Sequence, residues 1–233
     1  MQHQSAANVF WYEQNKAHRQ SIVPLSSDRT ADVVVVGGGM AGLSCASQLA
    51  DRGASVVLLE RDFCGAGASG KTSGFITPDS ELELSDLVRN RGPEKAKVLW
   101  EFVSSGVQHI RQNIQEHAID CDYQVQDSLF IANTAKRFSV VRHEHEGRIA
   151  LGYASTLHDA QSIRTIIGSS GYAGGVRYSG TFGMNSYLYC QAMKDVLAKK
   201  GVRVFEGSRV ENILPEGVLS GPYRVTAPKV IMC

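Results

Sequence analysis

The chain has 233 residues, a formal net charge of +1, and 43% hydrophobic against 20% charged residues. That balance suits a soluble globular protein able to bury a sizeable core, as one large domain or two small ones. The near-neutral charge gives no case for nucleic acid or an anionic membrane surface as partner. Cys45, Cys64, Cys121, Cys190 and Cys233 are scattered and form no CxxC pair, which points to neither a zinc site nor a disulfide framework. A reducing compartment follows. The opening MQHQSAANVFWYEQNKAHRQ is too polar for a signal peptide, and no run approaches the ~20 apolar residues of a membrane span. The expected location is the cytoplasm.

Residues 1–30 read as a polar extension, with Phe10, Trp11 and Tyr12 expected to anchor it on the body of the protein. The segment Asp32 to Arg61 organises the rest. Val33 to Val36 is an apolar run short enough for a buried parallel strand. Gly37-x-Gly39-x-x-Gly42 follows, then a helical run from Met40 to about Asp51, a break at Gly53, and a second apolar run from Val56 to Leu59. This spacing predicts a βαβ unit with a dinucleotide fingerprint. Gly37 serves the tight turn, Gly39 lets a pyrophosphate approach the backbone and the helix N-terminus, and Gly42 lets helix and strand pack closely. Glu60 lies 18 residues beyond Gly42, near the ~20 expected of a carboxylate that binds a ribose hydroxyl.

From Arg61 to Asp79 the chain reads RDFCGAGASGKTSGFITPD. With no hydrophobic period it suits a surface loop, but its glycines, Ser69, Lys71, Thr72 and Ser73 also offer N–H groups, hydroxyls and a cation suited to phosphate. The stretch GAGASGKTSGFI resembles the "GASGrNsGfi" segment of the D-amino-acid oxidase-like family of FAD-dependent oxidoreductases. The resemblance implies that this loop follows the FAD pyrophosphate and reaches the isoalloxazine near Gly74, Phe75 and Ile76. It favours FAD over NAD. Cys64, beside the loop, reads as a packed small residue rather than a redox or flavin-attachment site.

Further on, Leu82 to Asn90 reads as a short helix and Pro93 to about His117 as a longer one, with Val98, Phe102, Val103, Val107, Ile110 and Ile114 as its apolar face. His109 and His117 on it are expected at the surface. Tyr123 to Ala132 reads as a strand. Thr134 to about Leu151 reads as a charged helix whose RHEHEGR run is a solvated face, since His143 and His145 are two apart and do not share a helix face. A strand near Ala154 to Leu157 precedes a helix from Ala160 to Ile167 with Asp159 as N-cap. Asn185 or Ser186 caps another, through about Lys200. Val202 to Val210 reads as a strand, and short strands fill Glu211 to Cys233. The stretches around Gly174, Gly175 and Gly183 to Asn185 are similar to the same family's pattern. So is GVRVFEGSRV, whose last valine, Val210, the resemblance places against adenine through its backbone.

The expected fold class is α/β: a Rossmann-type FAD-binding domain, glutathione-reductase-like, with an inserted α+β substrate domain. Its domains are a 1–30 extension, a discontinuous FAD-binding domain over 31–80 and 176–233, and part of the substrate domain over 81–175. The candidate cofactor-binding residues are Gly37, Gly39, Met40, Ala41, Gly42, Glu60, Arg61, Gly67, Ser69, Lys71, Thr72, Ser73, Gly74 and Val210. No catalytic residue and no metal ligand is nominated. The resemblance matches only the first part of the family's usual chain, so the sequence reads as a fragment or truncated gene model, with self-association or a partner chain covering its unfinished sheet. It implies oxidation of the C–N bond of an amine or amino acid by hydride transfer to flavin. The alternatives are a non-catalytic FAD-binding fragment or subunit that needs a partner, and an NAD-dependent dehydrogenase. Glu60 argues against NADP, and Arg61 beside it weakens that inference.

Overall fold

The computed structural model describes residues 9–15, 21–78 and 82–233. Residues 1–8 and 16–20 of the N-terminal extension and the domain join expected at residue 80 lie outside the described residues. In chain order the elements begin with α1 (Phe10–Gln14), β1 (Arg29–Thr30), β2 (Val33–Val36), α2 (Met40–Asp51) and β3 (Val56–Leu59). A 3-10 turn at Ala68–Lys71 leads to β4 (Phe75–Ile76), α3 (Leu84–Arg91) and α4 (Pro93–Glu116). Then come β5 (Gln124–Val125), β6 (Ser128–Ala132), α5 (Ala135–Ala150), β7 (Thr156–Asp159), α6 (Ala160–Ile167), β8 (Gly174–Tyr178) and β9 (Phe182–Gly183). The chain closes with α7 (Ser186–Lys199), β10 (Arg203–Phe205), β11 (Asn212–Leu214), β12 (Gly217–Ser220), β13 (Tyr223–Thr226) and β14 (Lys229–Met232).

Two compact units result, one from Met1–Gly74, Ile114–Asp122 and Asn185–Cys233, the other from Phe75–Asn113 and Tyr123–Met184. These divisions fall at residues 74 and 185, and residues 114–122 join the first unit; the sequence reading set its joins at 80 and 176.

The first unit holds a parallel sheet in the order β10-β3-β2-β14. Its central strands are aliphatic because neither face is left to water: α2 packs on one, and β12 and β13 of a second sheet pack on the other. Val34, Val35, Val57 and Leu58 are fully buried. The helix α2 packs on β2 and β3 and also against α7. A second sheet, β1-β13-β12-β11, is antiparallel apart from the parallel β1–β13 pair. Val218 and Val225 from it share one core with Val34, Val57, Leu59 and Phe205. The strand expected over Val202–Val210 stops at Phe205. Gly207 takes φ +61, a left-handed conformation that breaks an extended run, so Val210 lies in the following loop.

The second unit holds the antiparallel sheets β6-β8-β7 and β4-β9-β5, with α3, α5 and α6 among its helices. Three helix starts follow the sequence chemistry. Thr134, Asp159 and, in the first unit, Asn185 each accept a hydrogen bond from a backbone N–H three residues on.

Four expectations fail here. The run Tyr123–Ala132 is two strands, because β5 pairs with β9 and β6 with β8. On α4 the inward face is Ala96, Trp100, Val107 and Ile114, with Val98 and Phe102 67% and 75% exposed. Leu84 and Leu87 of α3 draw in Ala96 and Trp100 and so set that rotation. His109 and His117 are half-buried rather than on the surface. The RHEHEGR run is not a solvated face either, since Glu144 and Arg148 from it are buried and paired with each other.

Candidate functional site

The strand β2 ends in a turn that only glycines permit. Gly37 has φ +115, and a Cβ there would fall on the carbonyl oxygen of Cys233. A Cβ at Gly42 would fall on the carbonyl oxygen of Gly37, well inside contact distance. Gly39 stands at the N-cap of α2 in an extended conformation, so the first N–H groups of that helix face outward from the strand end. These are the groups an anion meets at a helix N-terminus.

Around this turn opens a cavity of about 560 Å³. It brings together Gly37, Gly39, Ala41, Gly42, Glu60, Arg61, Gly67, Ser69 and Val210 from the sequence candidates. The Ser69 hydroxyl accepts a hydrogen bond from Met40 N–H at 3.0 Å. The glycine-rich loop therefore caps the helix with a group that retains a proton to donate. Met40 itself, Lys71, Thr72, Ser73 and Gly74 do not line this cavity. Thr72 instead places its hydroxyl 3.0 Å from that of Ser186, and it accepts from Gly74 N–H. Lys71, Thr72 and Ser73 are exposed.

Glu60 does a second job beyond the one its position predicts. One carboxylate oxygen accepts from Gly38 N–H at 2.6 Å and the other from Asp62 N–H at 2.8 Å. An ionised carboxylate has about four acceptor sites, so capacity remains for a ribose hydroxyl. Arg61 pairs with Asp62 at 3.3 Å and is largely exposed. The wall carrying Val210 is fixed to Glu60 through the backbone, by Ser208 N–H to Glu60 C=O at 2.8 Å and Glu60 N–H to Phe205 C=O at 2.8 Å.

Beneath the loop lies a buried polar brace with no sequence motif of its own. Glu206 accepts from Cys64 N–H at 2.7 Å and pairs with Lys194 at 3.0 Å. Gln191 donates to the Cys64 carbonyl at 2.6 Å. Burial, then the Glu206 carboxylate, push the Cys64 thiol far above its usual range; it is inert packing. The arm α1 grips the same loop from outside. The Tyr12 hydroxyl donates to Gly65 C=O at 2.7 Å, and Trp11 Nε1 donates to Thr72 C=O at 2.8 Å. Tyr12 is buried, whereas Phe10 is exposed. Met232, Cys233 and Arg209 complete the cavity wall. Sequence reasoning missed them because nothing in their residue types marks them.

Residues 32–233 match the family described as FAD dependent oxidoreductase. The chain belongs to that family. It is 32% identical over 212 residues to gamma-glutamylputrescine oxidoreductase of Escherichia coli, covering 89% of this chain and 50% of that protein. It is 29% identical over 192 residues to a probable oxidoreductase, OrdL, of Haemophilus influenzae, covering 82% and 44%. The chain thus spans about half the length of these curated relatives. Among solved structures, glycine oxidase from Geobacillus kaustophilus superposes with a TM-score of 0.70 at 18% identity, over 88% of this chain and 55% of that one. The L-amino acid deaminase from Proteus myxofaciens gives 0.72 at 16%, over 92% and 47%. These likenesses establish the fold of the FAD-dependent amino-acid oxidases. FAD is the family's cofactor, and the residues present fit it: a strand-end cradle that any Cβ would fill, a capped helix N-terminus and a strand-end carboxylate. Among the described residues no helix is long and apolar enough to cross a membrane.

Proposed function

We propose that this chain is the cofactor-gripping part of an FAD-dependent oxidoreductase that oxidises the C–N bond of a small amine or amino acid. The observation that carries the reading is the cavity in which Gly37, Gly39 and Gly42, the Ser69 hydroxyl and Glu60 converge. In this reading the α2 N-terminus and Ser69 hold the pyrophosphate, Glu60 holds a ribose hydroxyl, and the Val210 wall covers the adenine. Lys71, Thr72 and Ser73 belong to the same loop and stand nearer the flavin end. When bound, FAD supplies the two-electron acceptor, and the protein orients substrate and tunes the flavin. A substrate amine that binds neutral needs no strong base. The relative in Escherichia coli is named for an amine, gamma-glutamylputrescine, which supports that substrate class.

The test is spectroscopic. Purified protein reconstituted with FAD is expected to show a flavin band that denaturation releases. Under anaerobic conditions, at least one member of a panel of amines and D- and L-amino acids should bleach it. A flavin band that no member bleaches leaves a binding module instead of an enzyme, and failure to take up FAD at all would overturn the assignment of the cradle.

A further inference from the structure

Five cysteines are spread along the chain, and the fold sorts them into two kinds. Cys64, Cys121 and Cys190 are buried. Burial above all lifts the thiols of Cys121 and Cys190 to about 12 and that of Cys64 far above its usual range, so these three are inert packing. Cys45 is half-buried and Cys233 exposed, and their side chains lie within hydrogen-bonding reach of each other. The topology brings the two together from distant parts of the chain. Strand β14 runs parallel to β2 with Met232 opposite Val36, and Cys233 N–H donates to the Val36 carbonyl at 2.9 Å. Cys233 therefore arrives at the turn from which α2 starts, and Cys45 stands on α2 one turn beyond Gly42. An added Cβ at Gly42 would lie 3.5 Å from the Cys233 Cβ, so the Cys233 side chain is seated against the first turn of the helix that carries Cys45. Cys233 also lines the cofactor cavity, beside Gly37 and Gly42.

We propose that Cys45 and Cys233 form a redox-active thiol pair, which a hydroperoxide oxidises to a disulfide in the absence of FAD and which bound FAD shields. The cavity gives the oxidant its way in, and Cys233 is the thiol on the cavity wall. Attack of the Cys233 thiolate on hydrogen peroxide breaks the O–O bond and gives a sulfenic acid and a hydroxide ion. The Cys45 thiolate then attacks the Cys233 sulfur, forms the S–S bond and displaces a second hydroxide. The two thiol protons convert both hydroxides to water, so the pair gives up two electrons and the peroxide takes them. Burial, then Cys45 itself, lifts the Cys233 thiol above its usual value, which makes the first step slow. The second is fast because the attacking sulfur is already in place. The pair thus stops at a reversible disulfide, where a solitary sulfenic acid is open to irreversible oxidation. A transient bond of this kind suits a reducing compartment. The thiol chemistry does not depend on the flavin assignment; the shielding does.

The test treats the FAD-free protein with hydrogen peroxide, alkylates the remaining thiols with N-ethylmaleimide under denaturing conditions, and maps the peptides by mass spectrometry without reduction. The expected product is a linked Cys45–Cys233 peptide that dithiothreitol separates, with Cys64, Cys121 and Cys190 alkylated. Cys45→Ser should leave Cys233 as a sulfenic acid that dimedone traps, in clear excess over the parent. Free FAD at about ten times its Kd, with binding verified by the flavin band, should slow bridge formation about tenfold. No linked peptide in the parent, a bridge to another cysteine, or equal dimedone trapping in the parent and Cys45→Ser would each overturn the pair. Bridging at an unchanged rate in protein that holds FAD would overturn the shielding. A failure to bind FAD would instead count against the cradle, and the FAD-free arm would still decide the pair.

Discussion

Replacing Gly42 and Gly39 separately with alanine should split fold from function at one turn. A Cβ at Gly42 meets the Gly37 carbonyl, a backbone atom that cannot rotate away, so the β2–α2 turn must open. Overpacking of that kind costs about 1–3 kcal/mol or more. Alanine returns only about 1 kcal/mol of helix propensity over glycine. Because the contact is with backbone, the upper end of that cost applies, and the net expectation for Gly42→Ala is a loss of about 2 kcal/mol, read as a lower urea midpoint at constant slope. Gly39→Ala differs. Its φ of −79 and ψ of 178 suit any residue, and the added Cβ lies 3.0 Å from the movable Ser69 hydroxyl. Stability should fall by no more than the lost Met40–Ser69 hydrogen bond, about 1 kcal/mol. The Cβ now occupies the approach to the helix N-terminus, and FAD affinity, followed by quenching of flavin fluorescence, should fall about tenfold or more. An unchanged midpoint for Gly42→Ala, or full FAD affinity for Gly39→Ala, would refute this account of the cradle.

Glu60→Ala removes the acceptor for both Gly38 and Asp62 N–H and should lower stability by about 1–3 kcal/mol as well as weaken FAD; thermal unfolding with and without FAD separates the two effects. Lys194→Met strands the buried Glu206 carboxylate and should cost about 3–5 kcal/mol in urea unfolding, with Lys194→Met/Glu206→Gln recovering part of the loss. Asp32 accepts from Ser55 N–H and hydroxyl at 2.7 and 2.8 Å, which holds its carboxyl below the usual value. Its folded pKa is depressed, so its contribution is present above the unfolded value and disappears as pH falls through the folded one. Asp32→Asn should therefore be less stable than the parent at neutral pH and indistinguishable from it in strong acid. A carboxyl NMR titration of Asp32 at the ordinary aspartate value would contradict this.

The βαβ unit and the helix caps were legible because they are local. Gly37, Gly39, Gly42 and Glu60 are tied by chain geometry, and Thr134, Asp159 and Asn185 each cap a helix a few residues away. What escaped was set by distant partners. The rotation of α4 depends on Leu84 and Leu87. Glu144 and Arg148 look like any exposed i,i+4 pair until Trp100, Tyr178 and Ser85 close over them. Glu206, just past β10, is buried against Cys64 and Lys194, the first of them more than a hundred residues away. Periodicity cannot report such contacts.

The grip of α1 on the glycine-rich loop has a thermodynamic consequence. Tyr12 and Trp11 hold Gly65 and Thr72, residues on either side of Ser69, the serine that caps α2. If cofactor binding requires that loop to be ordered, arm docking and FAD binding share one free energy and each must strengthen the other equally. Tyr12→Phe should then shorten cofactor residence without touching the cavity, and FAD should raise the unfolding midpoint less in Tyr12→Phe than in the parent. The short helix α1 would act as a latch whose strength is measured at the flavin.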